Sequence, residues 1–346
     1  MTEYRGRRAV SIENRDLRVT VLACGGHIAE IFDKASGANP LWAPPWPSIE
    51  PSAYDPWKHK IYGSGCDAKL LAGIMGHNVC LDLFGGPDPE EAGAGIGAHG
   101  EAPVVDYQVD TSNGLRFKAN LRLAQMQFER KLSLEGRTLR FHETVENLCA
   151  FGRPIGWTQH VTLGPPFLVR GETQFRCSAT RSKVFEGNFG DHDYLKAGAE
   201  FDWPVAPGAD LSRLNSAARS SAFTTHLMGE PAFFAAWSPV HRLAITYAWR
   251  RTDFPWLGIW EENHSRRHAP WNGETLARGM EFGMSPFPES RREMVQRGSL
   301  FNTRTYGWLP AHGTLEVDYV AATAQIDQAS GLELLGPAVC SKLSLG

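Results

Sequence analysis

The chain has no paired-cysteine spacing, no long apolar run and no excess of charge, and each absence removes a class of protein. Six cysteines among 346 residues (Cys24, Cys66, Cys80, Cys149, Cys177 and Cys340) include no CxxC pair. They read as reduced, mostly buried thiols, as expected in a cytoplasmic protein rather than a disulfide scaffold. No apolar stretch approaches the ~18 residues of a membrane span, and no signal-peptide pattern follows Met1. A formal net charge of −3, with both signs scattered along the chain, argues against nucleic acid and against an anionic membrane as partner. The arginine pairs Arg250-Arg251, Arg266-Arg267 and Arg291-Arg292 read chiefly as solvated faces. Nucleotide-binding glycine motifs and a GxSxG elbow are also missing. The histidines form no HxH or HExxH pattern, so neither a metal nor another cofactor is expected.

What the chain does have is length and aromatic content. A protein this long can bury roughly 75% of its unfolded surface without staples. Eleven tryptophans suit either the core of a large sandwich, the preferred reading for most of them, or stacking on sugar faces. Alternating short strands separated by glycine turns run through the sequence, at 17–22, 27–32, 128–134, 139–145, 156–163, 222–227, 232–237, 242–249, 257–260, 278–283 and 314–322. Only 289–297 suggests a helix, and a short one. Residues 43–102 read as one long irregular segment rich in Pro, Gly and Trp, of the kind that usually carries function. The fold class expected is all-β: a large antiparallel β-sandwich, in one domain over 1–346 with its core at about 8–325.

The most informative stretch is Ala277-Arg278-Gly279-Met280-Glu281-Phe282-Gly283, closed by Ser285-Pro286-Phe287-Pro288. It sets one carboxylate in an apolar strand, where desolvation raises its proton affinity toward that of a general base. A structural ion pair with Arg278 or Arg304 is the competing reading of Glu281. His99, among small residues on a loop, and His160, on a strand in Gln159-His160-Val161, are the matching proton carriers, although His160 also suits a satisfied core histidine. Glu261 and Glu262 are alternative carboxylates. Strand alternation sends them to opposite faces, one toward a cleft and the other toward solvent. Trp260 beside them suits a stacking floor, and His192 a surface turn.

These residues, in this order, resemble the aldose 1-epimerases, or galactose mutarotase-like proteins. The resemblance rests on Gly25-Gly26-His27-Ile28-Ala29-Glu30-Ile31, Asn39-Pro40-Leu41-Trp42, His99-Gly100, His160 and the late Glu281. It implies a supersandwich with a sugar cleft on one sheet face and anomer exchange by ring opening. Carried over, Glu281 is the base, His160 the acid and His99 a second sugar contact. The family's substrate-binding aspartate falls on Asp253 or Asp193, with Asp253 slightly ahead, and Trp260 and Glu262 complete the sugar-binding set. No cofactor is implied, and the partner is a small-molecule sugar; a pair near the cleft, Arg250-Arg251 or Arg266-Arg267, would serve an acidic one, with screened surface charge the preferred reading. A non-catalytic sugar-binding protein, or a lyase or hydrolase on the same sandwich, is the alternative. Two opposed carboxylates such as Glu281 and Glu262 would favour hydrolysis.

Overall fold

The computed structural model describes residues 1–112 and 114–345. Its strands form two large antiparallel sheets, one of eleven strands and one of eight among the described residues. The middle of the larger sheet runs His77–Cys80, Thr158–Leu163, Leu276–Gly283, Trp256–Asn263 and Ser220–Met228, side by side in that order. All five strands are buried along almost their whole length, because both faces are covered. That is why they read as apolar runs rather than as clean alternation.

One face packs on the smaller sheet. Val161, Leu163, Leu257, Ile259, Met280 and Phe282 meet Phe128, Phe141, Tyr247, Trp249 and Tyr319 in the principal core. Phe282 stacks on Trp249 with ring centroids 4.2 Å apart, and Phe141 on Tyr319 at 4.3 Å. Inside this apolar layer lies one closed polar network. Arg130 Nε donates to Glu143 Oε1 at 2.6 Å, as does the Tyr319 hydroxyl, while Gln159 Nε2 donates to Glu143 Oε2 at 2.6 Å. The amide oxygen of Gln159 is shared with His77 at 3.0 Å. A buried carboxylate is tolerable only with such saturation. The network also fixes the strand whose next residue, His160, points the other way.

The opposite face is covered by the segment expected to be irregular. Residues 43–102 do contain turns, but they also contribute the short helix Ala68–Leu71 and the buried central strand His77–Cys80. The four-residue strand is too short to show a period. The segment packs a second core of its own, with Trp42, Trp46, Tyr62, Leu70, Phe84 and Ile74 against Phe223, Trp260 and Trp271.

The expected helix at 289–297 is present as Arg291–Arg297, started by a Ser290/Glu293 capping box. A second helix of this length or more, Ser330–Cys340, was not anticipated; its interior Pro337 obscures the pattern. It lies on the strands Ala232–Ser238 and Leu243–Trp249. No helix among the described residues is long and apolar enough to cross a membrane.

Candidate active site

Antiparallel register brings the two central candidates together. His160 pairs with Glu281 across neighbouring strands, and Glu281 in turn stands opposite Gly258. Directly opposed residues project to the same face, here the face away from the smaller sheet. His160 Nε2 lies 3.1 Å from Glu281 Oε1, with both side chains almost fully buried. Thr162 Oγ1 is 3.1 Å from the other ring nitrogen, Nδ1. Glu281 is not paired with Arg278, whose side chain turns to the inter-sheet side over Phe175 and donates to the Leu211 carbonyl.

Room for the carboxylate comes from a glycine. A Cβ at Gly279 would overlap Glu281 Oε1 and stand 3.2 Å from Trp260 Cβ. Glycine inside a central strand weakens it, and close approach of another group is the usual reason for one there. Gly258 similarly leaves space for the ring of Phe223, which a Cβ would meet at 2.7 Å.

His99 arrives from the loop above. Its backbone is left-handed (φ 64°), an uncommon conformation for a residue with a Cβ. Nδ1 donates to the Phe84 carbonyl at 2.5 Å, so in the neutral ring Nε2 is an acceptor. Its ring lies edge-on to that of His160, with centroids 4.9 Å apart.

Burial governs the proton affinities. Desolvation pushes the Glu281 carboxyl up to about 8, opposed only in part by the Arg266 charge. It pushes His160 well below its ordinary value, helped by His99, and lowers His99 to about 4. The resting pair is therefore a carboxylic acid beside a neutral imidazole. Shifting one proton along the 3.1 Å contact converts it to carboxylate and imidazolium with no change in total charge.

The pair opens into a cavity of about 430 Å³, lined by His99, Phe189, Phe223, Trp260, Arg266 and Trp271 among others. Trp260 and Trp271 meet edge-to-face at 5.9 Å, backed by Trp42 and Trp46. The volume suits a monosaccharide, and the aromatic walls suit its apolar faces. A groove of about 510 Å³ lies on the outer side of the smaller sheet, but its charged groups are already paired, His142 with Asp318 at 2.9 Å and Arg250 with Asp253 at 2.8 Å.

The remaining sequence candidates fall elsewhere. Asp253 does not reach the cavity: the turn after Trp249 carries it to Arg250, on the side of the smaller sheet. Asp193 closes a local turn, accepting from the amides of Phe189 and Gly190 and from the Ser221 hydroxyl. Glu262 is on the cavity side of its strand but holds the backbone amides of Ser265 and Arg266 at 2.6 and 3.0 Å, so it supports the wall rather than lining the space. Glu261 faces the inter-sheet layer, not solvent, and accepts from Ser220 Oγ at 2.8 Å.

Reasoning from sequence missed Trp271, Phe189, Phe223 and the glycine under Glu281, and it ranked a cleft role for Arg266 below surface charge. The paired glycines of Arg278-Gly279-Met280-Glu281-Phe282-Gly283 were the one available signal. Asn78 was missed too. It stands opposite His160 in register, fully buried, with neither amide atom partnered. Among the described residues no group of three or more His, Cys, Asp or Glu side chains is arranged to hold a metal ion.

No family model and no curated protein matches the sequence. Solved structures do resemble it in three dimensions. A candidate aldose 1-epimerase of Klebsiella pneumoniae superposes with a TM-score of 0.66 at 12% identity, covering 99% of this chain and 87% of that one. A candidate aldose 1-epimerase of Escherichia coli gives 0.64 at 12% identity, over 93% of this chain and all of the other. A galactose mutarotase-like protein of Clostridium acetobutylicum gives 0.61 at 13% identity, over 92% and 96% of the two chains. The large antiparallel sheets, their order and these likenesses together establish a galactose mutarotase-like β-sandwich fold for this chain.

Proposed function

We propose that the protein is a cofactor-free aldose 1-epimerase in which Glu281 and His160 exchange protons with the sugar. The observation that carries this reading is the Glu281–His160 contact of 3.1 Å at the floor of an aromatic-walled cavity. Ring opening needs one proton removed from the anomeric hydroxyl and one delivered to the ring oxygen. In its carboxylate–imidazolium form the pair does both. Glu281 accepts the O1 proton, the C1–O5 bond breaks as C1=O forms, and His160 Nε2 donates its proton to O5. The pair is then carboxylic acid and neutral imidazole, the form that burial favours. Rotation about C1–C2 followed by the reverse transfers closes the other anomer and restores the starting charges.

Desolvation holds the empty pair neutral, and the reactive form is its proton-shifted tautomer. A sugar hydroxyl in place of cavity water supplies hydrogen bonds that favour the carboxylate. His99, an acceptor at Nε2, is placed to receive a sugar hydroxyl. Trp260 offers an aromatic wall, while Trp271 is taken up by Trp42 and Arg266. Hydrolysis is less well supported, because Glu262 is occupied by backbone amides, and the other carboxylate of the cavity lining, Asp67, lies toward His99 and Arg266.

The test is anomer exchange followed by saturation-transfer NMR over a panel of neutral, acidic and phosphorylated aldoses, wild type beside Glu281→Gln and His160→Gln. Loss of acid–base function lowers kcat on the order of 10²–10⁴-fold. Full exchange by Glu281→Gln would sink the assignment. Sugar binding without accelerated exchange by the wild type would make the protein a carbohydrate-binding protein instead.

A further inference from the structure

Arg266 is the one arginine or lysine among the described residues that line the cavity. It sits on the connection between the strands Trp256–Asn263 and Leu276–Gly283, and three aromatic rings hold it. Its guanidinium carbon lies 4.9 Å from the Trp271 centroid, 5.4 Å from Trp260 and 5.5 Å from Phe189. Contacts of this kind use the faces of the guanidinium and leave its N–H edge for hydrogen bonds. Little of that edge is used. Nη2 donates to the Phe189 carbonyl at 3.3 Å, and the Glu262 carboxylate stays 3.7 Å from Nη1, beyond hydrogen-bond distance. Glu262, Asp67, Asp191 and Asp193 balance its charge from nearby, but none is within hydrogen-bond distance of the guanidinium, and Glu262 Oε1 is committed to two backbone amides.

A planar fork, fixed in orientation with donors to spare, matches a group that only accepts. A carboxylate or phosphate presents paired oxygens to such a fork, whereas a hydroxyl engages neutral donors and acceptors equally well. The distances suit one ring between the two functions. Trp260 lies 6.2 Å from the ring of His160 and 5.4 Å from the guanidinium. His160 and the guanidinium thus stand on either side of Trp260, a separation that a monosaccharide can span.

We propose that the substrate of this cavity is an anionic aldose, a sugar bearing a carboxylate or a phosphate that Arg266 receives. The identity of the reacting end rests on the epimerase reading above; the anion site does not. Glu262 is then a competitor for Arg266 as well as an anchor of its backbone.

The experiment measures KM for anomer exchange with glucose, glucuronate and glucose 6-phosphate, and with the galactose counterparts. It is paired with calorimetric binding of the same sugars. Wild type is expected to favour one acidic class over the neutral sugar by about 10- to 100-fold, the size of a charge-assisted contact. The carboxylate and phosphate arms tell which. Arg266→Met brings the ratio toward unity, and Arg266→Lys keeps part of it. Glu262→Gln preserves the amide acceptor, removes the competing charge and widens the ratio several-fold. Neutral sugars exchanged with KM values equal to or below those of both acidic classes would overturn the inference and leave the epimerase standing. Acidic sugars bound through Arg266 without any exchange would uphold the anion site and remove the epimerase. Calorimetry that detects no preference for either acidic class refutes the anion site whatever the exchange data show.

Discussion

Replacing Gly279 by alanine tests whether the backbone beneath Glu281 sets the position of its carboxylate. The glycine is not among those with positive φ, so alanine meets no backbone penalty, and the cost in stability is that of overpacking, about 1–3 kcal/mol. The added methyl falls where Glu281 Oε1 now lies, while its contact with Trp260 Cβ, at 3.2 Å, is only slightly tight. Sheet backbone and indole cannot retreat cheaply, but a carboxylate can, by on the order of 1 Å. That displacement breaks the 3.1 Å contact with His160. Misplacing a reacting group by about 1 Å costs about 10²-fold, or about 2.7 kcal/mol of transition-state stabilisation. The loss should appear in kcat for anomer exchange, measured well below a melting temperature that is itself lowered. Gly258→Ala supplies the contrast: its Cβ meets the Phe223 ring at 2.7 Å, so the cavity wall moves and KM responds first. A folded Gly279→Ala protein with wild-type kcat would refute both the carboxylate placement and the role given to Glu281.

Other outcomes follow from the same physics. Glu281 binds its proton more tightly folded (about 8) than unfolded (4.5), so its contribution to stability is complete below pH 4.5 and is lost as pH rises toward 8. The slope is at most about 1.4 kcal/mol per pH unit. The unfolded chain still sheds histidine protons just above pH 6.5, so the Glu281 contribution is read as the stability of wild type minus that of Glu281→Gln, in which the histidines cancel; this difference should fall from pH 6.5 to 8, and a constant difference would contradict the raised affinity. Toward acid the histidines take over. His27, His77, His99, His160 and His226 are all buried with proton affinity lowered, chiefly by desolvation. The unfolded chain takes up these protons below about pH 6.5, so the protein should lose stability steeply there, up to about 1.4 kcal/mol per unit for each histidine. A urea midpoint unchanged between pH 7 and 5 would count against it. In the inter-sheet network, Glu143→Gln leaves Arg130 without its counter-charge and should cost about 3–5 kcal/mol in urea unfolding. The double variant Arg130→Met/Glu143→Leu should recover much of that loss, and failure to do so would show that the network has no apolar substitute.

Local chemistry in the sequence determined a good deal. Glycine turns, short β-rich runs and scattered charge defined an all-β sandwich, and an isolated carboxylate in an apolar strand marked Glu281 before any coordinates. Ser290 and Glu293 capped the helix after the Ser-Pro-Phe-Pro turn as their spacing required. Register was beyond reach. Only the pairing of Thr158–Leu163 with Leu276–Gly283 sets His160 opposite Glu281, more than a hundred residues later in the chain. The same pairing turns Gln159 to the inter-sheet network and Arg278 away from the site. The central strand His77–Cys80 was hidden because four buried residues carry no period. Asp253 was misplaced because a carboxylate near a tryptophan reads alike on either side of a turn, and surface charge was preferred to a cleft role for Arg266 because its aromatic cage comes from three separate segments. Sequence patterning records which residues prefer burial. Which of them meet depends on strand pairing across long loops, and that is decided only when the two sheets close on a shared core.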